Sequence, residues 1–173
     1  MTDLRTELAQ WRGHRVVLLG AGNAEAGDDG FGVRLARALA ARREGVDEDG
    51  GSLSSIDGGT CPERYVGEAV RAGAEVLALA DAVDFGGAPG ALLLASAADL
   101  QVHPVLAAAH RVPLSVLAQY AEGLGARAFV LGVQPASLEG TELSPPVAET
   151  LEALVELLCG APRALPVTVG VTP

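Results

Sequence analysis

The stretch RVVLLGAGNAEAGDDGFGVRLARALAAR (15–42) decides the architecture. Residues 15–21 form an apolar run without helical period, the pattern of a strand buried on both faces. The next nine residues, GNAEAGDDG (22–30), are polar and glycine-rich and predict a loop. From Phe31 the period changes. Val33, Leu35, Ala36 and Leu39 gather near one face of a helix over 31–42, with Arg34 and Arg37 outside, and Asp28 or Asp29 is placed to cap it. A strand, a glycine loop and a helix in immediate succession make the first unit of an α/β domain.

The same punctuation continues outward in both directions. SLSSI (52–56) predicts a short strand, DGGTCPE (57–63) a loop and residues 64–72 a short helix. EVLALA (75–80) predicts the next strand and DAVDFGGAPG (81–90) a loop built from strong breakers. ALLLAS (91–96) and ARAFVLGVQ (126–134) predict two more strands, with a helix over 114–120 entered through Pro113. The last helix covers PPVAETLEALVELL (145–158), where proline is tolerated at the start and Val147, Leu151, Leu154, Leu157 and Leu158 form the apolar stripe. Ser144 is its expected N-cap. This order predicts a three-layer αβα single domain around a mixed, mostly parallel twisted sheet of about five strands. The chain between 80 and 91 is too short for a helical crossover, so one of the two strands it joins runs antiparallel to its neighbours. The domain is expected over 1–160. Residues 161–173, rich in Pro, Val and Thr, are expected to be a tail.

Composition narrows the function. The 173 residues are 49% hydrophobic, enough for one real core. Twelve basic against 22 acidic side chains give a formal charge of −10, which repels phosphate backbones and excludes nucleic acid as the expected partner. The two cysteines, Cys61 and Cys159, are far apart and form no CxxC pair, which fits a reducing compartment. The opening MTDLRTELAQWRGHR lacks the apolar centre of a signal peptide, and no uninterrupted apolar run is long enough to span a bilayer. A cytoplasmic protein without membrane insertion is expected.

Ligand sites in open α/β sheets lie beyond the carboxyl ends of the strands. With the first and third strands adjacent, that rim would hold Asp28 and Asp29 after one and Asp81 and Asp84 after the other. Like charges gathered on one rim repel, and a cation relieves that cost. His110, in the segment AAAHRVP, could join Asp29 and Asp81 as a ligand for a divalent ion. Simpler roles stand beside this one: Asp29 as a helix cap, and His110, like His14 and His103, as a structural or surface residue. Other chemistries fit less well. GAGNAE opens like a dinucleotide loop, but Glu25 occupies the place of the third glycine of GxGxxG. No GxxxxGK[ST] or GxSxG occurs. Cys61 follows a glycine turn without an assignable histidine base. The residues alone yield a candidate metal site and go no further.

Five blocks in order add a resemblance. GAGNAEAGDDGFGVRLARAL (20–39), IDGGTCPE (56–63), LALADAVDFGGAPG (77–90), HRVPLSVL (110–117) and FVLGVQPASLEGTELSPPVAETLEALVELL (129–158) resemble the successive motifs of the hydrogenase maturation peptidases. The DDG form, the DGG..PE loop and the HxxPLxxL segment look like the branch serving formate-hydrogenlyase-type hydrogenases. The resemblance implies an endopeptidase that trims a C-terminal extension from the nickel-loaded large-subunit precursor of a nickel-iron hydrogenase. It implies Asp29, Asp81 and His110 as metal-engaging residues, with Asp29, Asp57 and Asp81 catalytic. It adds Asp57, in the second glycine loop, as a residue that helps position substrate or water. No cofactor is expected to be permanently bound, the nickel being presented by the precursor. The alternative is a non-proteolytic relative that binds metal or a partner in the same cleft.

Overall fold

The structure is a computed structural model that describes residues 4–42, 45–46, 50–102, 112–160 and 168–170. Its elements, in chain order, are α1 (Leu4–Ala9), β1 (Arg15–Ala21), a 3-10 turn (Gly27–Gly30), α2 (Phe31–Ala41), β2 (Gly45–Val46), β3 (Ser52–Gly59) and α3 (Glu63–Arg71). There follow β4 (Val76–Ala82), β5 (Leu92–Ser96), α4 (Ala97–Val102), α5 (Leu114–Gly123), β6 (Arg127–Val133), α6 (Pro145–Leu158) and β7 (Thr168–Gly170). The sheet order is β2-β3-β1-β4-β6-β5-β7. Strands β3, β1, β4 and β6 are mutually parallel, and β5 lies antiparallel to β6. The expected class therefore holds: a mixed, mostly parallel sheet between helical layers, with five main strands and two short edge strands.

Alternation along the strands builds two cores. Leu19, Leu77, Leu79 and Val130 point to one face, under Val66 of α3, Leu100 of α4 and Leu114 and Leu117 of α5. Leu18, Ala80 and Leu131 point to the other, with Leu4 of α1, Phe31 and Leu35 of α2 and Val147 and Leu154 of α6. Helix α2 comes unusually close to the sheet because two glycines meet there: a Cβ on Gly20 would collide with the Gly32 carbonyl, and one on Gly32 with the carbonyls of Ala80 and Ala21. That contact carries the turn preceding α2 onto the ends of β1 and β4.

The strand reversal expected at the short 80–91 step is present: β5 runs antiparallel to β6, which lies between β4 and β5. Other sequence expectations need correction. Asp57, Gly58 and Gly59 belong to β3, because Gly20 pairs with Asp57 and Ala21 with Gly59. Asp81 is likewise a strand residue, paired with Gly132. Pairing to a central strand overrides the weak strand propensity of Asp and Gly. Within the expected tail, Thr168–Gly170 pairs with β5 as β7.

Candidate active site

The carboxyl ends of β1 and β4 form one rim of the sheet, from which β1 leads through the 3-10 turn into α2 and β4 into the loop over 83–91. Gly22, one residue past β1, is its centre. Its φ of +118° is a conformation that side chains rarely adopt. A Cβ there would collide with the backbone carbonyl of Asp29 and stand 3.5 Å from Oδ1 of Asp81. The Asp29 backbone and the Asp81 carboxylate thus lie against one glycine.

Each is held differently. Asp29 lies within a one-turn 3-10 helix, and its Oδ2 accepts a hydrogen bond from the Asn23 N–H at 2.7 Å. The Asn23 side chain in turn accepts from the Glu25 N–H, closing a compact loop around the carboxylate. Asp29 is half-buried. Asp81 is wholly buried, and its Oδ1 accepts from the Ala82 N–H at 2.9 Å. Its strand partner Gly132 carries no side chain on that face, where a Cβ would press on Val83 at 3.1 Å.

Asp57 is not brought to the same place. It shares a row with Gly20 and Ala80, one residue before Asp81 along the sheet, and therefore points to the α2 face. There its Oδ2 accepts from Arg37 Nε at 2.7 Å and its Oδ1 from the Gly59 N–H at 3.1 Å. His110 lies outside the described residues. Among the described residues no three His, Cys, Asp or Glu side chains gather as a metal-ligand set. Cys61 and Cys159 are both free thiols.

Comparison with known proteins gives this rim its context. The family model for hydrogenase maturation protease, HycI, matches residues 33–161. The chain belongs to the hydrogenase maturation protease family. It is 31% identical to the Hydrogenase 3 maturation protease of Escherichia coli K12 over 147 residues, covering 83% of this chain and 88% of that protein. It is 32% identical to the hydrogenase expression/formation protein HupD of Bradyrhizobium diazoefficiens over 158 residues, covering 84% and 77% of the two. The crystal structure of the [NiFe] hydrogenase maturation protease HycI from Thermococcus kodakarensis superposes with a TM-score of 0.74 at 30% identity, covering 88% of this chain and 95% of that one. The Escherichia coli endopeptidase HybD gives a TM-score of 0.62 at 28% identity over 83% and 89%. The chain is accordingly a proteolytic enzyme.

In this hydrogenase maturation protease the scaffold of the rim rests on polar residues whose roles the sequence does not display. Asp28, wholly buried, accepts from the N–H groups of Ala136, Ser137 and Ser144 and from Ser144 Oγ at 2.7–3.1 Å. Burial pushes its pKa up, but the hydrogen bonds from Ser144, Ser137 and Ala136 outweigh burial and leave it below the ordinary carboxylate value. Ser144 does precede α6 as expected, yet its hydroxyl goes to Asp28 and makes no cap bond. Gln134, also buried, accepts from the Phe85 and Gly87 N–H groups and donates to Asp84 Oδ1 at 3.0 Å, fixing the loop after β4. That bond, with one from the Gly86 N–H, holds the Asp84 carboxyl below its ordinary range. Arg34, expected outside, instead donates to the carbonyls of Ala24 at 3.1 Å and Thr141 at 2.6 Å. No helix among the described residues is long and apolar enough to cross a membrane.

Proposed function

We propose that this enzyme removes a C-terminal extension from the nickel-loaded large-subunit precursor of a nickel-iron hydrogenase, with Asp29, Asp81 and His110 engaging the nickel that the precursor carries. Family membership supports the substrate class. The observation that carries the site is that the Asp29 backbone and the Asp81 carboxylate lie against Gly22, with the Asp29 carboxylate bonded to the N–H of the next residue, Asn23. Helices α4 and α5, which flank the segment containing His110, pack on the same sheet face as Asp81, in the cluster with Val83 and Leu79. Two carboxylates and an imidazole are a partial donor set for a divalent ion, which leaves positions for ligands supplied by the precursor.

An ion held there, contributed by the substrate, polarises the scissile carbonyl. Water adds to the carbonyl carbon, a carboxylate accepts its proton, and that proton passes to the nitrogen as the C–N bond breaks. Asp81 is buried in the free protein. Asp57, bonded to Arg37 and Gly59, serves by holding the end of β3 rather than by touching the reacting atoms. The two free thiols suit a reducing compartment, and the cytoplasm is the proposed place of action.

The test is intact-mass measurement of nickel-loaded precursor incubated with Asp29→Ala, Asp81→Ala and His110→Ala, each checked for folding by circular dichroism. Each folded variant is expected to process at least about 100-fold more slowly, the scale of a lost catalytic group. Wild-type processing by all three refutes the assignment.

A further inference from the structure

Two aspartates stand side by side in the 3-10 turn and face in opposite directions. Asp29 is half-buried and faces the rim, whereas Asp28 is buried and spends its carboxylate on four donors in residues 136–144. We propose that Asp28 is a positioning residue: it bolts the loop carrying Asp29 to a strap formed by residues 135–144, and so sets where the Asp29 carboxylate stands. The inference rests on the reading of Asp29 as a site residue.

The strap and the turn are joined at every level. The Gly27 N–H donates to the Gly140 carbonyl at 2.7 Å, and the Asp28 N–H donates to the Ser137 carbonyl at 2.9 Å. Gly27 adopts a φ of +53°, and a Cβ on it would lie 2.7 Å from the Glu139 carbonyl and 2.8 Å from that of Ser137, so the strap lies directly on the backbone. Arg34 reaches across the top, bridging the Ala24 carbonyl to that of Thr141, with Glu142 3.6 Å from its Nη1. Ser144, of a type that favours helix caps, uses its hydroxyl here instead.

Stability alone is a poor reason for such an arrangement. A buried carboxylate carries a desolvation cost, and a well-packed apolar group in its place is often neutral or stabilising. Four directional, charge-assisted bonds give what apolar packing does not, a fixed orientation. Adjacent Cα atoms lie about 3.8 Å apart across a trans peptide, so fixing Asp28 leaves Asp29 little freedom. Displacement of a reacting group by about 1 Å costs on the order of 100-fold in rate.

The experiment compares Asp28→Asn, Ser144→Ala and Ser144→Thr with wild type and with Asp29→Ala, measuring kcat and KM on nickel-loaded precursor alongside thermal melts. Asp28→Asn turns a donor amide toward N–H groups and should lower kcat about 100-fold. Ser144→Ala removes the hydroxyl bond and leaves the three backbone bonds, which keeps the proposal testable if Asp28→Asn does not fold. It should lower kcat about 10-fold at unchanged KM, and Ser144→Thr, which keeps the hydroxyl, should restore kcat. Wild-type kcat in folded Asp28→Asn and Ser144→Ala, with Asp29→Ala inactive, overturns the proposal while leaving the site reading intact. A rise in KM at unchanged kcat also overturns it. Wild-type kcat in folded Asp29→Ala defeats the site reading itself, and with it the purpose assigned to Asp28.

Discussion

Gly22 concentrates the logic of the site in one residue. In the sequence it belongs to a loop that opens like a dinucleotide-binding turn. In the fold its freedom at positive φ serves a different end, letting the Asp29 backbone and the Asp81 carboxylate approach the same point. Forcing a side chain into this conformation costs about 1–3 kcal/mol before any collision is counted. A Gly22→Ala variant is therefore expected to melt at lower temperature, because the methyl cannot avoid the Asp29 carbonyl. Its cleavage rate should fall further than its folded fraction. Calorimetry and single-turnover cleavage on one preparation check this, and a rate that simply tracks the folded fraction would reduce Gly22 to a folding role. The neighbouring aspartates show what a sequence withholds at this scale. Asp28 and Asp29 read alike there, and only the packing of residues 136–144 separates a buried anchor from a rim carboxylate.

At the scale of elements, most of the fold is legible because hydrophobic period is local. The strands at 15–21 and 91–96 and the helices at 31–42 and 145–158 are found within a residue or two of their structural bounds. What escapes is decided by distant partners. Helix α4 is an alanine-rich turn with little amphipathic signal, and β2 and β7 are short enough to exist only by pairing. Strand order is also invisible locally: Arg127 follows Glu75 by 52 positions in sequence, yet its N–H donates to the Glu75 carbonyl. Glu75 ties three strands at the lower edge of the sheet. Its backbone N–H donates to the Arg15 carbonyl, and its Oε2 accepts from the Arg15 N–H at 2.8 Å. The Arg15 N–H bond, then the positive charges of Arg15 and Arg127, hold its pKa below the ordinary 4.5. A carboxylate lowered on folding stabilises above its unfolded value, and the contribution fades as pH falls through the lower, folded value. Glu75→Gln should accordingly lower the melting temperature at pH 7, with the gap to wild type closing as pH falls below 4.5. Melting curves from pH 3 to 7 check this, and a gap that persists at the acid end would show that the interaction is not ionic.

At the scale of the whole molecule, the sheet brings the turn that carries Asp29 to the end of the strand that carries Asp81, while the family's peptidase chemistry has no serine elbow or HExxH helix to draw on in this sequence. A donor set of Asp29, Asp81 and His110 falls short of a closed structural site, where four protein ligands enclose the ion. Such a set completes the coordination of an ion already held by something else, and it leaves positions through which that ion can contact a peptide carbonyl or a water molecule. Specificity then follows from the same shortfall. On the proposed reading, a precursor without its ion presents nothing for the three side chains to complete, and the scissile bond is neither polarised nor placed. Purified enzyme is therefore expected to carry little tightly bound transition metal and to cleave nickel-loaded precursor, leaving verified metal-free precursor intact under the same conditions. Elemental analysis of both proteins, run beside a cleavage time course, measures each part. Efficient cleavage of metal-free precursor would end the substrate-metal reading. Stoichiometric zinc that stays with the enzyme, and whose removal abolishes cleavage, would make it a metalloprotease of the ordinary kind, with its ion resident before the substrate arrives.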